Sequence, residues 1–477
     1  MLGQATILLL ISQVVFLISG YAINVGLARM LGPEGFGTFG VVMSFLFVAH
    51  LFVITGIPIA LQKFVAENLD AARLLVRKTL PVHLLNSLAF FILFWFIAPL
   101  IASWFDDPSL QFYLRIAAFD IIFYGLYKYY QSLQNGLHQF GRQTLGAIAY
   151  AVAKPLSIFA LVLSGFSITG AVLGNTLGAL GGWLGGLLLV KMPEIKAKLE
   201  EIQFFRFAFI NVFYYVGLQL LFSVDIWFVK YHLSDVEVGQ YVSASSMAKI
   251  PYFLSLAISS ALMPVISRAT KEGDEKRVRD VTAISLRYWL MLLFAMIVVI
   301  GATATPLMNL FFGEQYTAAG PILAVLFAGI AFVTFFAVMN TILIMREQLK
   351  SCLIGTGSLI ILHVAANAIL VPRYAGLGAA LATLIVGAVG IVVVGTLLLR
   401  NVRVVMPPLS AARTVLSGVA VLALAYYFPI LDHYLIAKCA FLLMLFVGVL
   451  FGIRELSFAD LMRFREVVVP GNKIKLS

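Results

Sequence analysis

Long apolar runs with almost no charge recur throughout this 477-residue chain. The first extends from about Ile7 to Leu27. An α-helix rises about 1.5 Å per residue, so about 20 apolar residues cross the roughly 30 Å hydrocarbon core of a bilayer. A strand of a membrane barrel needs only about ten residues of alternating polarity. The runs therefore predict an all-α integral membrane protein.

The composition supports the same class of protein and indicates which kinds of partner to expect. Hydrophobic residues make up 62% of the chain and charged residues 12%, against about 45–50% and about 25% in soluble domains. The net charge of +11 is typical of a membrane protein whose cytoplasmic loops are basic, so nucleic acid is not an expected partner. Cys352 and Cys439 both lie in apolar stretches and indicate neither a disulfide framework nor a metal site.

Charges and Gly/Pro clusters divide the apolar sequence into fourteen predicted helices. These begin near residues 5, 38, 79, 112, 143, 168, 207, 238, 288, 321, 351, 376, 411 and 433. Most lysines and arginines fall in alternate loops and in the C-terminal tail, whereas Lys128, Lys154 and Lys249 fall inside helices. This alternation predicts an even number of spans and two cytoplasmic termini.

A weak internal repeat relates helices six positions apart. The segment "LGPEGFG" (31–37) aligns with "LSDVEVG" (233–239) at a shift of 202 residues, and a shift of 208 pairs Arg142 with Lys350. Two parallel six-helix lobes are therefore predicted, with a substrate site between them. Gly32-Pro33 is expected to end the first helix, and Gly35 and Gly37 to let the backbone turn into the second.

The repeat also predicts the domain organisation. The expected parts are an N-terminal lobe (1–190), a cytoplasmic linker with a short amphipathic helix (191–206), a C-terminal lobe (207–400), two further helices (401–453) and a cytoplasmic tail (454–477).

Polar side chains at membrane depth mark the candidate site, because an ionisable group inside a span costs about 2.5–3.5 kcal/mol on insertion scales. The fourth helix carries a polar stripe at steps of three and four residues, formed by Asp120, Tyr124, Tyr127, Lys128, Gln131, Gln134 and Asn135. This stripe either lines a cavity or forms a hydrogen-bonded seam between helices, with Asp120 and Lys128 neutralising each other. Other predicted helices contribute Lys154, Tyr215, Gln219, Asp225, Lys249, His363 and Asn367. For His363, a packing role and a proton-handling role both remain open.

The sign of the buried charges indicates the kind of substrate, and the absence of several catalytic motifs indicates that no reaction is catalysed. Three buried lysines against two aspartates, Asp120 and Asp225, favour an anionic substrate. The chain has no GxxxxGK[ST], HExxH or CxxC motif, and no large outward loop rich in catalytic residues. It is therefore predicted to move a substrate without transforming it, with no cofactor and without hydrolysing ATP itself.

Four stretches, in the same order, resemble the prokaryotic polysaccharide flippases, the O-antigen-type exporters of the multidrug/oligosaccharidyl-lipid/polysaccharide (MOP) superfamily. They are "ARMLGPEGFGTFGVVMSF" (28–45), "VGQYVSASSMAKIPYFLSLAISSALMPVIS" (238–267), "FFGEQYTAAGPILAVLFAG" (311–329) and "NAILVPRYAGLGAALAT" (367–383).

The resemblance implies a two-lobed, MATE-like fold in the cytoplasmic membrane that flips polyprenyl-pyrophosphate-linked oligosaccharides by alternating access, driven by a proton or sodium gradient. Membrane lipid and glycan polymerases or glycosyltransferases are the other expected partners. The substrate-binding candidates by position are Lys128, Lys154, Lys249, Tyr124, Gln131, Tyr215, Gln219 and Asn367. The candidates for ion coupling are Asp120, Asp225 and His363.

Two alternatives within the superfamily remain. A cation-coupled multidrug exporter shares the fold but usually has twelve helices and an acidic lumen. Lipid II flippases typically place several arginines in the first two helices, where this chain has only Arg29. That departure puts a peptidoglycan precursor in doubt as the substrate.

Overall fold

The computed structural model describes residues 2–193, 204–346, 348–402, 406–427, 434–457 and 460. Those residues form fifteen α-helices joined by short turns and include no β-strand. The helices are α1 (Leu2–Ile54), α2 (Ile57–Glu67), α3 (Ala72–Trp104), α4 (Pro108–Gly136), α5 (Phe140–Leu161), α6 (Ser167–Leu189), α7 (Phe204–Leu220), α8 (Val224–His232), α9 (Asp235–Ala248), α10 (Ile250–Lys271), α11 (Glu275–Phe312), α12 (Ala319–Met345), α13 (Leu349–Val402), α14 (Pro408–Tyr427) and α15 (Leu435–Gly452).

Nine segments of the described chain are long and apolar enough to cross a membrane. They are Ile11–Glu67, Leu69–Trp104, Pro108–Gly136, Phe140–Leu189, Glu275–Phe312, Ala319–Met345, Lys350–Arg400, Pro408–Tyr427 and Leu435–Gly452. The protein is therefore a multi-pass membrane protein, as predicted.

The three longest of these segments each contain a backbone break with positive φ. The breaks lie at Gly32 (φ 69°), at Gly165 (φ 93°) with Ser167 (φ 48°), and at Ala375 (φ 51°). They fall close to the predicted starts of separate helices at 38, 168 and 376. The predicted helices near 207 and 238 correspond to α7–α8 and α9–α10, which are not among the nine spanning segments. The count of fourteen therefore stays a prediction.

Contacts divide the chain into two compact units. Unit 1 comprises Met1–Ser246, Met308–Ala319 and Thr356–Thr383. Unit 2 comprises Met247–Leu307, Gly320–Gly355 and Leu384–Ser477. The lobe boundaries drawn from the repeat stay a prediction.

In unit 1, the turn near the start of the chain depends on a single glycine. Gly32 adopts a left-handed backbone that a residue with a Cβ rarely accepts, and Pro33 then begins the following helix. Gly35 and Gly37 have helical backbone, so the expectation that they bend the chain is wrong. A single residue with positive φ is sufficient to interrupt the helix here.

Gly37 has a different use, because the two hinge segments of the repeat contact each other within unit 1. A Cβ on Gly37 would lie 2.7 Å from the backbone nitrogen of Gly239 and 2.8 Å from the carbonyl oxygen of Asp235. A Cβ on Gly239 would overlap the carbonyl oxygen of Pro33. The backbones of the two hinges therefore touch, which only glycine at both positions allows.

Unit 1 also contains a group of ion-paired residues, Asp107, Lys230 and Asp235, which we call the charge clasp. Lys230 and Asp235 come shortly before Gly239 in the sequence. Lys230 Nζ donates to Asp107 Oδ2 at 2.8 Å and to Asp235 Oδ1. Burial would raise the pKa of Asp107, but hydrogen bonds from Lys230 and Ser109 outweigh it, and the pKa lies below its ordinary value. Burial likewise opposes charge on Lys230, but its two carboxylate partners raise the pKa of that ammonium. Asp107 and Lys230 are therefore both ionised at neutral pH.

In unit 2, the segment after α15 is fixed to other helices by charge. Glu455 is 3% exposed and accepts a hydrogen bond from Arg287 Nε of α11 at 2.9 Å. Arg413 of α14 lies 3.7 Å from the same carboxylate. The final helices of the chain are thus tied to α11 through one buried carboxylate.

The predicted linker falls largely outside the described residues. Residues 191–193 follow α6 without helical structure, α7 begins at Phe204, and 194–203 are outside the description, together with the amphipathic helix expected there. Most of the predicted tail, from 461 onward, is outside it as well.

Candidate functional site

Two lysines lie against one stack of tyrosine rings in unit 1. The rings of Tyr127 on α4 and Tyr150 on α5 stack with centroids 4.7 Å apart and an interplanar angle of 13°. Lys128 Nζ is 5.3 Å from the centroid of Tyr127, and Lys154 Nζ is 5.7 Å from that of Tyr150. Each ammonium therefore gains a cation–π contact with the same stack.

Gln131 holds one of these lysines in place. We refer to the whole group as the lysine cluster, which consists of Tyr124, Tyr127, Lys128, Gln131, Tyr150 and Lys154. Lys128 Nζ donates to Gln131 Oε1 at 3.0 Å, and Gln131 Nε2 donates to the Tyr127 hydroxyl at 3.0 Å. Lys154 Nζ donates to the Tyr150 hydroxyl at 3.4 Å. Among the described residues, neither lysine forms an ion pair with a carboxylate. An ammonium carries three donors, so both lysines keep the capacity to bind an anion.

Glycines of α6 make room for the cluster. A Cβ on Gly178 would lie 2.5 Å from Lys154 Cβ, and a Cβ on Gly182 would lie 2.8 Å from the Tyr127 ring and 3.0 Å from Tyr150 Cβ. The glycine-rich sequence "LGNTLGALGGWLGG" (173–186) thus allows α6 to pack closely against α4 and α5.

Asp120 lies on α4, two turns before Lys128, and meets a histidine of α1. Asp120 is 1% exposed, and its Oδ2 lies 2.8 Å from Nε2 of His50, which is 5% exposed. Neither carboxylate oxygen accepts a hydrogen bond from a described residue. The His50 ring also lies 4.5 Å from the ring of Tyr124. Asp120 and His50 are therefore in close contact inside unit 1.

A second buried carboxylate, Asp225 of α8, accepts one hydrogen bond on each oxygen. The Tyr241 hydroxyl donates to Asp225 Oδ2 at 2.6 Å, and the backbone N–H of Ile226 donates to Oδ1 at 2.9 Å. Thr383 lies near Tyr241, and its hydroxyl is 3.3 Å from His363 Nε2. The structure therefore brings Asp225, Tyr241, Thr383 and His363 into one buried polar group, the Asp225 cluster.

The remaining predicted residues are distributed over several elements. Asn367 donates to the His363 carbonyl at 2.9 Å and so belongs beside the Asp225 cluster. Gln219 on α7 donates to Ser223 at 3.1 Å, and Tyr215 is partly buried on the same helix. Lys249 lies in unit 2, at the junction between α9 and α10.

The sequence reading missed His50. It is the one ionisable residue in the apolar run "VVMSFLFVAHLFVI" (41–54), the same signal that singled out His363. Its pairing with Asp120 depends on how α1 packs against α4, which no spacing along the chain records.

Arg29 is the arginine of the first two predicted helices, and its side chain binds backbone carbonyls of α11. Its guanidinium donates to the carbonyl oxygens of Leu310 and Phe311 at 2.6 and 2.8 Å. These carbonyls end α11, where unpaired acceptors favour a cation. Arg29 therefore caps a helix.

Comparison with known proteins identifies one family. The family model described as "Polysaccharide biosynthesis protein" matches residues 26–321. A search of curated proteins finds no match.

Solved structures share the fold over most of the chain. The structure described as "Lipid II flippase MurJ, inward closed conformation" aligns with a TM-score of 0.75 and 17% identity, covering 98% of this chain and 100% of that one. An inward-facing multidrug resistance MATE family transporter of the MOP superfamily gives a TM-score of 0.66 and 15% identity, covering 81% and 95%. A MOP superfamily transporter from Pyrococcus furiosus gives a TM-score of 0.60 and 14% identity, covering 84% of this chain and 96% of that one. At these identities the likeness establishes the MOP fold.

Proposed function

Because this chain belongs to the polysaccharide biosynthesis family and has the MOP fold, we propose that it flips polyprenyl-diphosphate-linked oligosaccharides across the prokaryotic cytoplasmic membrane. Alternating access moves the lipid-linked glycan from the cytoplasmic to the outer leaflet, where it serves cell-surface polysaccharide biosynthesis. Both termini are then cytoplasmic, and glycan polymerases or glycosyltransferases act before or after the flip.

The lysine cluster is the observation that carries this proposal. Lys128 and Lys154 are cations within a membrane-spanning unit, held on a tyrosine stack without a carboxylate partner among the described residues. A diphosphate supplies the missing negative charge, and the low dielectric strengthens that attraction. The cluster therefore binds the diphosphate of the head group.

An ion gradient is the proposed driving force. The buried titratable groups, Asp120, Asp225 and His363, are the candidates for coupling, with a proton or sodium as the ion.

The lipid II alternative is the weaker one on the residues present. MurJ is described as a lipid II flippase, but its likeness to this chain is one of fold. Arg29 is bound to backbone carbonyls at the end of α11, so it is not available as a phosphate ligand in this arrangement. A multidrug exporter would bind organic cations, which two lysines without an ion-paired carboxylate among the described residues repel.

Export in cells tests the proposal. We expect Lys128→Ala and Lys154→Ala each to reduce surface glycan at least tenfold, because each removes a charge-assisted contact worth about 1.5–3 kcal/mol. Lys78→Ala is the matched control, since Lys78 is exposed on α3. Membrane abundance of each variant is measured by quantitative immunoblotting.

Normal surface glycan with both cluster variants at normal abundance would exclude the lysine cluster as the head-group site. Resistance to cationic drugs that depends on the wild-type chain, without any effect on glycan, would instead support the multidrug exporter.

A further inference from the structure

A cavity of about 310 Å³ lies in unit 1, where α4 ends and leads into α5. Its volume is within the range of small-molecule sites, about 300–1,000 Å³. Gln62 and Lys63 of α2 line one side of it, and Asn135, His138 and Phe140 line the other. Among the described residues, the cavity shares no lining residue with the lysine cluster. It is therefore a separate feature of the same unit, which we call the α4-end cavity.

The polar lining of the α4-end cavity offers hydrogen-bond donors and acceptors and only one fixed cation. The side-chain amides of Gln62 and Asn135 each supply a carbonyl oxygen and an NH₂ group, and the imidazole of His138 adds a ring nitrogen. Lys63 is the one lysine of the described lining, which contains no carboxylate. A diphosphate carries several negative charges, whereas a sugar hydroxyl both donates and accepts a hydrogen bond. The lining therefore suits a polyhydroxylated ligand better than a diphosphate.

The turn between α4 and α5 holds its part of the lining in place. His138 has a left-handed backbone (φ 55°), which non-glycine residues seldom adopt, and its N–H donates to the Asn135 carbonyl at 2.9 Å. Gln139 anchors the turn to the segment after α6: its Nε2 donates to the Lys191 carbonyl at 2.5 Å, and the Lys191 N–H donates to its Oε1 at 3.0 Å. The rings of His138 and Phe140 lie 5.8 Å apart. The turn therefore presents a fixed imidazole to the cavity.

One face of α4 connects the α4-end cavity with the lysine cluster. Lys128, Gln131 and Asn135 follow each other at steps of three and four residues, so their side chains share a face of the helix. All three are partly exposed, whereas Leu133 and Gln134 are buried. The seven residues from Lys128 to Asn135 correspond to about 10 Å along the helix axis. A ligand with its diphosphate at Lys128 can therefore extend its next chemical group along this face into the cavity.

We propose that the α4-end cavity binds the glycan of the lipid-linked substrate, while the lysine cluster binds its diphosphate. The inference rests on the proposed function for the identity of the ligand. Gln62 and Asn135 hydrogen-bond sugar hydroxyls in this arrangement. A sugar without the matching hydroxyl leaves their amides unpaired, which is how a polar pocket discriminates between ligands. The two residues therefore determine which glycan is accepted and leave the affinity for the diphosphate unchanged.

Two ligands with the same lipid separate the α4-end cavity from the lysine cluster. One is the lipid-linked oligosaccharide extracted from the cells in which the chain is native, and the other is the bare polyprenyl diphosphate of the same chain length. Native mass spectrometry of the full chain in detergent measures the affinity for each. We expect the wild type to bind the oligosaccharide-carrying lipid about tenfold more tightly, since several hydrogen bonds each contribute about three- to tenfold at most.

The double variant Gln62→Leu/Asn135→Leu should lose most of this preference and bind the bare diphosphate like the wild type. Gln131→Leu should weaken the binding of both ligands, because Gln131 holds Lys128. Gln13→Leu, at an exposed position of α1, is the matched control and should retain both affinities. Thermal unfolding of each variant verifies that it is folded.

Equal affinity of the wild type for the two ligands, or a preference that survives in the folded double variant, would overturn the glycan site. Weaker binding of the bare diphosphate by the double variant would overturn the assignment as well, because the cavity would then act on the diphosphate. A wild type that bound neither ligand and flipped no glycan would refute the proposed function, and the inference with it. That result differs from equal binding of both ligands, which leaves the proposed function intact.

Discussion

At the residue scale, a single amide connects a lysine with the aromatic stack. Gln131 accepts from Lys128 and donates to the hydroxyl of Tyr127. An ammonium on a flexible stem has many rotamers, and holding it in place lowers the entropy cost of binding an anion. Gln131 therefore positions Lys128 and does not need to touch the substrate.

Replacing Gln131 tests this positioning role. Gln131→Leu removes both hydrogen bonds at similar side-chain volume, and we expect about tenfold weaker binding of farnesyl diphosphate, since a hydrogen bond to a charged group is worth about 1.5–3 kcal/mol. Isothermal titration calorimetry in nanodiscs measures the affinity. Gln13→Leu, at an exposed position of α1, should bind like the wild type. Unchanged affinity in Gln131→Leu would show that Lys128 needs no support.

Sequence reasoning reached part of this site for a simple reason. Polar residues at helical spacing identify one face of one helix, so Asp120, Lys128 and Gln131 were found together. The open question of whether Asp120 neutralises Lys128 is resolved by geometry, since Asp120 lies against His50 and Lys128 against Gln131. Contacts between helices depend on packing angles that a single sequence does not contain.

At the element scale, the charge clasp joins α8 and α9 to the turn before α4. Lys230 is 5% exposed in its side chain and lies between Asp107 and Asp235. Removing the cation would leave two carboxylates close together, which costs more than losing an exposed ion pair. The clasp therefore stabilises the ends of three helices.

Lys230→Met should lower stability by about 1–3 kcal/mol at neutral pH. Because the pKa of Asp107 is depressed, its contribution is complete above the unfolded value of 3.8 and is lost only as the pH falls through the folded pKa. Because the pKa of Lys230 is raised, its contribution to stability is lost at alkaline pH only as the pH rises through that raised value. Thermal unfolding in detergent should show a constant difference from wild type between neutral pH and 3.8. A difference that disappears within that range would contradict the assignment.

Gly239 offers a second test at this scale. Gly239→Ala should destabilise unit 1, because its Cβ would overlap the carbonyl oxygen of Pro33 and push the hinge segments apart. Gly357→Ala is the control: no atom lies within 4 Å of its added Cβ, and alanine gains about 1 kcal/mol of helix propensity. Hydrogen exchange of the amides from 34 to 40 measures the effect. Equal protection in both variants would show that the hinges do not need this contact.

At the scale of the whole molecule, the repeated hinges acquire a structural explanation. The segments "LGPEGFG" and "LSDVEVG" correspond to each other in the repeat, and the structure places their backbones in contact within unit 1. Glycine and proline predicted the turn at Gly32, whereas the break near the predicted helix start at 376 lies at Ala375, a residue type that does not itself indicate a positive φ. Apolar length predicted the fold class, because the bilayer imposes it.

Transport across a defined membrane tests the central claim most directly. The purified chain is reconstituted into liposomes with a polyprenyl-diphosphate-linked oligosaccharide, and a membrane-impermeant reagent reports how much glycan changes leaflet. We expect flipping well above that of empty liposomes, with loss in Lys154→Ala and retention in Lys78→Ala. The account would be contradicted if the chain flipped the glycan no faster than empty liposomes do and transported an organic cation under the same gradient.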